Sequence, residues 1–340
     1  MLDKLTRSAS LRFCFHFAWA TTLLTFAVVV LGAYTRLTDA GLGCPDWPQC
    51  YGHWVLPNNA HTINPAIQTT KAWTEMSHRY LAGSLGILIA LQALLAIRNR
   101  KNPQQPVVLP LVLLALVIFQ ALLGMWTVTL KLYPMVVMGH LLGGLTTLSL
   151  LGCLTLLLTP RGGFSVKKIK FLKFIGAISL IILIAQLFLG GWTSANYAAL
   201  VCLDFPFCSQ HESMTFDFAN AFDLTKAGVT GSQGEPLESA ARMTIHMLHR
   251  MGALITTIIF GVLVFLIFRN TKVRLLRGIG LLIAGLLITQ VGLGIINVVA
   301  VLPLAIAVAH NAVAALLLVT VVGFNVLLYL TPKASDDSSS

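Results

Sequence analysis

The sequence predicts an all-α integral membrane protein of eight transmembrane helices, arranged as two four-helix bundles related by a pseudo-twofold axis. Three observations carry this. The chain of 340 residues is 56% hydrophobic and only 10% charged, with a mean hydropathy of +0.82, where an ordinary soluble domain carries about 25% charged residues. Its apolar runs fall at 13–35, 74–97, 107–130, 134–158, 171–195, 240–268, 274–299 and 302–331, each near the roughly 20 residues that a bilayer requires. Its two halves also resemble one another.

The net charge of +11 raises the question of nucleic acid, and the placement of the basic residues answers it. Sixteen of the 23 Lys and Arg lie in the amino terminus (Lys4, Arg7, Arg12), at 98–101, 161–173 and 269–277, and at Lys333. These segments alternate with acid-containing loops at 36–73 and 194–240. By the positive-inside rule the basic segments and both termini are cytoplasmic and the other loops face out. Nucleic acid is therefore not an expected partner. The first apolar run is long and no small-residue cleavage site follows it, so it reads as a span.

The duplication is visible without gaps. "LGAYTRLTDAGLGCPDWPQC" (31–50) lies above "LGGWTSANYAALVCLDFPFC" (189–208), and "FQALLGMWT" (119–127) resembles "TQVGLGIIN" (289–297). Gln120 and Gln290, Gly124 and Gly294, and His140 and His310 are each 170 residues apart. The expected division is 1–160 and 161–340. Four helices per half is an even number, so both halves enter the membrane in the same sense, as parallel repeats do. Within each half a finer repeat recurs: "LGAYT", "LGMWT", "LGGWT" and "LGIIN" occupy the odd spans, and each is followed in the next span by one histidine, His78, His140, His249 or His310.

A lone histidine in an apolar helix is usually a hydrogen-bonded packing residue. Four at equivalent positions near the outer boundary form a layer, and intramembrane ionisable groups are costly enough to mark functional interiors. One histidine from each of two facing helices can clamp a haem from both sides, which pairs His78 with His140 and His249 with His310. A zinc or copper site is the competing use, but structural zinc wants four close ligands and each bundle has two. Arg79 and Arg250, which follow His78 and His249, could bind haem propionates or merely snorkel to the interface.

The halves differ at one informative place. Glu75 precedes His78 by three residues and shares its helix face, whereas His246 stands at the same place before His249. A carboxylate beside one site only marks that site as the reactive one; capping the first turn of span two is its alternative role. Cys44 with Cys50 and Cys202 with Cys208 should form two intraloop disulfides on the oxidising side. So short a loop stabilises by only about 2 kcal/mol in the chain-entropy model, which leaves a redox role beside the structural one. Cys14 and Cys153 read as membrane-core residues, Gln120, Gln186 and Gln290 as interhelical hydrogen-bonders, and His16, His53, His61 and His211 acquire no role. The segment 209–239 looks like a loop extension absent from the first half.

The eight spans in two homologous halves, the E-x-x-H-R run from Glu75 to Arg79, the four histidines and the paired loop cysteines together resemble the haem A synthase family. The resemblance implies oxidation of the C8 methyl of haem O to a formyl group, giving haem A for cytochrome oxidase. It implies that His78 and His140, with Glu75, hold the substrate haem in the amino-terminal half, and that His249 and His310 hold a haem b cofactor in the carboxy-terminal half. Glu75 would assist proton movement or stabilise a cationic intermediate. Partners in keeping with this are haem O synthase, cytochrome oxidase assembly factors, an electron acceptor that the sequence does not identify and a second copy of the chain; the location is a bacterial cytoplasmic membrane. The residues alone reach only as far as a membrane di-haem protein. A non-catalytic b-type electron carrier, in which Glu75 would be dispensable, and a haem exporter or chaperone are the other classes.

Overall fold

The computed structural model describes residues 2–57, 68–159, 169–208, 216–224 and 237–330, with side chains from residue 10 onward. Among these residues there are eight helices long and apolar enough to cross a membrane. They are α1 (Leu2–Leu37), α2 (Thr69–Arg98), α3 (Val108–Thr129), α4 (Pro134–Leu158), α5 (Ile169–Ala195), α7 (Ser239–Asn270), α8 (Arg274–Val299) and α9 (Leu304–Leu330). One short helix, α6 (Phe218–Ala221), lies in the segment between α5 and α7. The observed helices match the expected spans closely, except that α1 begins eleven residues and α2 five residues before the expected start.

Helices that are apolar on every side are stable only where lipid or protein satisfies that surface. Ile87, Ile181 and Ile288 are exposed and lie on the outside of the bundle, while Leu113, Leu151, Phe260 and Phe324 are buried. Lipid tails are as apolar as leucine, so close packing rather than the hydrophobic effect holds such helices together. Gly191 shows this where α5 meets α4: a Cβ there would lie 2.6 Å from Leu141 Cδ2 and 2.8 Å from Met138 Sδ. Polar ties supplement the packing, as where Asn325 of α9 donates to the Gly176 carbonyl of α5 at 3.1 Å.

In the first half, α1 packs on α2, α2 on α3, α3 on α4 and α4 back on α1. In the second, α5 packs on α7, α7 on α8, α8 on α9 and α9 back on α5. Each half is thus a closed ring of four helices. The halves meet through α1 with α9, α4 with α9, and α4 with α5. Exchanging the halves carries the first of these contacts into the third and leaves the second in place.

The backbone repeats the duplication where composition gives no hint. Lys131 and Leu132 in the α3–α4 turn have φ of 49° and 59°; Val301 and Leu302 in the α8–α9 turn both have 58°. Asp39 and Tyr197, after α1 and α5, have 50° and 51°. Positive φ is uncommon outside glycine, yet equivalent residues adopt it in pairs. The reason is a shared helix stop: the Leu132 amide donates to the Thr127 carbonyl and the Leu302 amide to the Asn297 carbonyl, each at 2.8 Å, which closes the last turn as a left-handed cap does. Pro134 then starts α4 at the position where a missing amide costs nothing.

The outer loops carry an aromatic rim. Trp47, Trp54, Phe205, Phe207, Phe216 and Phe218 are all exposed, and aromatic residues of this kind favour the headgroup level.

Candidate active site

Each Leu-Gly glycine is the seat of a histidine from the next span. A Cβ built on Gly32 would lie 2.9 Å from His78 Cε1, on Gly190 2.9 Å from His249 Cε1, on Gly294 3.2 Å from His310 Cε1 and on Gly124 3.4 Å from His140 Cε1. The four repeats therefore have one local purpose. A glycine on the odd helix removes the side chain that would occupy the space of the imidazole.

The imidazoles meet in pairs inside the two rings of helices. The rings of His78 and His140 have centroids 6.4 Å apart and planes inclined at 85°, and His249 is an electrostatic neighbour of His310. Two metal–imidazole bonds of about 2 Å each, plus two ring radii, span roughly 6 Å, so the first pair has the separation needed to hold one iron between them. Nδ1 of His78, His140 and His310 is buried without a hydrogen-bond partner. Among the described residues no group of three or more His, Cys, Asp or Glu side chains could hold a metal ion. Two imidazoles per bundle suit a metal that brings its other ligands with it, as haem iron does. The donor set fits haem and does not fit structural zinc.

Glu75 is buried in α2 beside this pair. The first turn of α2 contains no acidic residue, because the helix starts at Thr69, so the capping role does not apply. Instead both carboxylate oxygens are engaged. Oε2 accepts from the Cys44 amide at 2.8 Å, and Oε1 pairs with Nη2 of Arg79, one turn on.

The two arginines reach outward to the cysteine loops. Arg79 Nη1 donates to the carbonyls of Asp46 at 2.9 Å and Gln49 at 2.8 Å. Arg250 donates through Nη1 to Asp204 at 2.6 Å and through Nη2 to Cys202 at 2.7 Å. These loops are closed by Cys44–Cys50 and Cys202–Cys208. Carbonyls of a tight loop thus take the donors that the sequence reading offers to propionates. Arg250 keeps a buried, unpaired Nε, a donor still available to an anionic group.

The asymmetry between halves is structural as well as chemical. His246, at the place of Glu75, is buried and has an unpaired Nδ1. A carboxylate held by a loop amide is found in the first half, and its counterpart in the second is an imidazole. The Cys44 amide escaped the sequence reading, since a backbone donor has no residue-type signature. So did Arg36, which donates to the Ser194 carbonyl at 2.6 Å and lies over the Tyr197 ring at 4.2 Å, while the Tyr197 hydroxyl meets Asp39 at 3.2 Å. Arg36 and Ser194 are aligned repeat positions, which was the available signal.

The remaining histidines stand apart from the layer. His16 packs edge-on to Phe15, and His53 pairs with Cys50 through backbone hydrogen bonds. His61 and His211 lie outside the described residues. Cys14 is buried, with the Asn99 amide 3.5 Å from its sulfur, and Cys153 is half-buried.

Comparison with known proteins agrees with the architecture. Residues 15–322 match the family model described as cytochrome oxidase assembly protein, COX15-CtaA. A protein named heme A synthase from Shewanella oneidensis is 46% identical over 318 residues, covering 91% of this chain and 94% of that one. Proteins of the same name from Halalkalibacterium halodurans and Bacillus cereus are each 29% identical, covering 57% and 60% of this chain and 63% and 64% of their own lengths. With the family model spanning nearly all of the eight helices, the chain belongs to the COX15-CtaA family of cytochrome oxidase assembly proteins.

Proposed function

We propose that this chain is a haem A synthase, which oxidises the C8 methyl of haem O to the formyl group of haem A for cytochrome oxidase. The observation that carries the proposal is the 46% identity, over 91% of the chain, to a protein named for that activity. The paired imidazoles and the single buried carboxylate agree with it.

In this reading His78 and His140 hold the substrate haem, and His249 and His310 hold a resident haem b. Bound haem would supply the redox-active iron. The chain supplies orientation and a proton-handling group. The glycine seats set where each imidazole stands, and the helix that carries His78 brings Glu75 to the same face one turn earlier. The carboxylate can take up or release a proton, or oppose positive charge on a carbon being oxidised. The Cys44 amide and Arg79 hold it in place for either task. Arg79 and Arg250 fix the outer loops above the two sites, and Arg250 Nε remains a donor for a propionate. The basic segments between spans support an orientation with both termini in the cytoplasm and the cysteine loops outside, in a bacterial cytoplasmic membrane. Haem O synthase and cytochrome oxidase assembly factors are the partners this activity calls for.

The test is mass analysis of the haems extracted from protein purified from cells that supply haem O. Haem A or a hydroxylated haem O beside haem B supports the proposal. Haem B alone would indicate an electron carrier. In the same cells Glu75→Gln should keep haem b content within about twofold of the unaltered protein and lower haem A formation by about 10²-fold or more. Undiminished haem A would remove Glu75 from the reaction.

A further inference from the structure

One turn before each His-Arg pair the two halves carry opposite chemistry, Glu75 in α2 and His246 in α7. Glu75 and Arg79 are four residues apart, as are His246 and Arg250, so each couple shares a helix face. In α2 the couple is closed. Arg79 Nη2 donates to Glu75 Oε1, the Cys44 amide donates to Oε2, and Arg79 keeps no buried nitrogen unpaired among the described residues.

In α7 the couple cannot close, because His246 brings a ring N–H where Glu75 brings an acceptor. His246 is only 5% exposed and its Nδ1 has no hydrogen-bond partner; Arg250 Nε is likewise buried and unpaired. The terminal nitrogens of Arg250 are taken by the carbonyls of Cys202, Asp204 and Pro206. The Asp204 side chain is an electrostatic neighbour of the guanidinium, but Nε still lacks an acceptor. The first half thus has an arginine with its acid in place. The second has the arginine and, instead of the acid, a further donor.

A buried donor without a partner costs the desolvation of that group, and more where the group is charged. Two such donors on successive turns, on the helix that carries His249, call for one kind of partner, an anionic group with several lone pairs. A carboxylate has two oxygens and can accept from both donors at once. Haem carries two carboxylates, its propionates. We infer that His246 and Arg250 together bind one propionate of the haem held by His249 and His310, and that Glu75 fills in the amino-terminal half the role this propionate fills in the other. The inference rests on the haem reading of the two pairs. It makes His246 a binding residue for the resident haem, which is then tied by two axial imidazoles and by its own carboxylate. The amino-terminal haem meets an arginine already paired with the protein's carboxylate and lacks that third tie, which suits a haem that enters as substrate and leaves as product.

Haem loss to an excess of apomyoglobin in detergent tests this. Full-length protein with His78→Ala, which removes one ligand of the amino-terminal pair so that loss reports on the other site, would be loaded with haem B or with its dimethyl ester, whose propionates are uncharged. The ester should leave about tenfold faster or more, the worth of one charge-assisted hydrogen bond. Adding His246→Leu should speed the loss of haem B by about the same factor and leave the loss of the ester unchanged within about twofold. His246→Glu, which restores the ion pair of the first half, should release haem B at least as fast as His246→Leu. Equal loss of haem B and ester, acceleration of both alike by His246→Leu, or retention of haem B in His246→Glu would overturn the inference while the synthase proposal stands. Protein that takes up no haem at this site, with or without His78→Ala, would overturn both.

Discussion

Gly190 and Gly124 do the same job with different margins, and the difference can be measured. A Cβ at Gly190 falls 2.9 Å from His249 Cε1, closer than real contacts allow, whereas at Gly124 it falls 3.4 Å from His140 Cε1, an ordinary van der Waals distance. Gly190→Val should therefore displace the imidazole and lower haem in the carboxy-terminal half by about tenfold or more, with helix content unchanged by circular dichroism. Gly124→Ala should keep its haem. Equal retention in both variants would mean that the glycines serve helix packing alone. At this scale much was legible: recurrence exposed the histidines and glycines, because four equal residues at four equal places are hard to attribute to packing. The Cys44 amide that holds Glu75 was not legible, since every residue except proline carries such a donor.

Among the elements, the unit of interest is α2 with the loop that ends at Cys50. Arg79 joins them, with Glu75 on its own helix and the carbonyls of Asp46 and Gln49 across the gap. Arg79→Ala removes one donor from a buried carboxylate and the donor to the carbonyls of Asp46, Pro48 and Gln49 at once. Breaking one partner of a buried ion pair costs about 3–5 kcal/mol, against about 2 kcal/mol for opening so small a disulfide ring. Chemical unfolding in detergent should accordingly rank Arg79→Ala as less stable than Cys44→Ser combined with Cys50→Ser. The reverse order would make the disulfide, rather than the arginine, the principal tie. Hydropathy placed every span, but it placed the starts of α1 and α2 too late, α1 because its first turns carry Lys4, Arg7 and Arg12. The turn from Thr69 to Trp73 contains Thr69, Thr70 and Lys71 and stands above the apolar layer, where a hydropathy pattern has nothing to report.

For the molecule as a whole, the repeat predicted two four-helix units, and within each half neighbouring helices pack on one another in a ring. How the halves meet was not written in any motif. The contact of α4 with α5 depends on Gly191 admitting Met138 and Leu141, and the link from Arg36 to Ser194 depends on two turns with matching left-handed residues. Both are properties of surfaces brought together, not of a residue pattern along one helix. The aromatic rim has a further consequence at this scale. Trp47 lies between two of the residues whose carbonyls bind Arg79, and Phe205 lies beside Asp204, which binds Arg250. Rings of this kind remain at headgroup depth, while the helices answer to the thickness of the hydrocarbon. A thinner or thicker bilayer therefore shifts the covers relative to the imidazoles beneath them. In vesicles of graded acyl-chain length, haem O oxidation should pass through a maximum, and a flat profile would show that the covers move freely. The lipid itself becomes a setting of the enzyme.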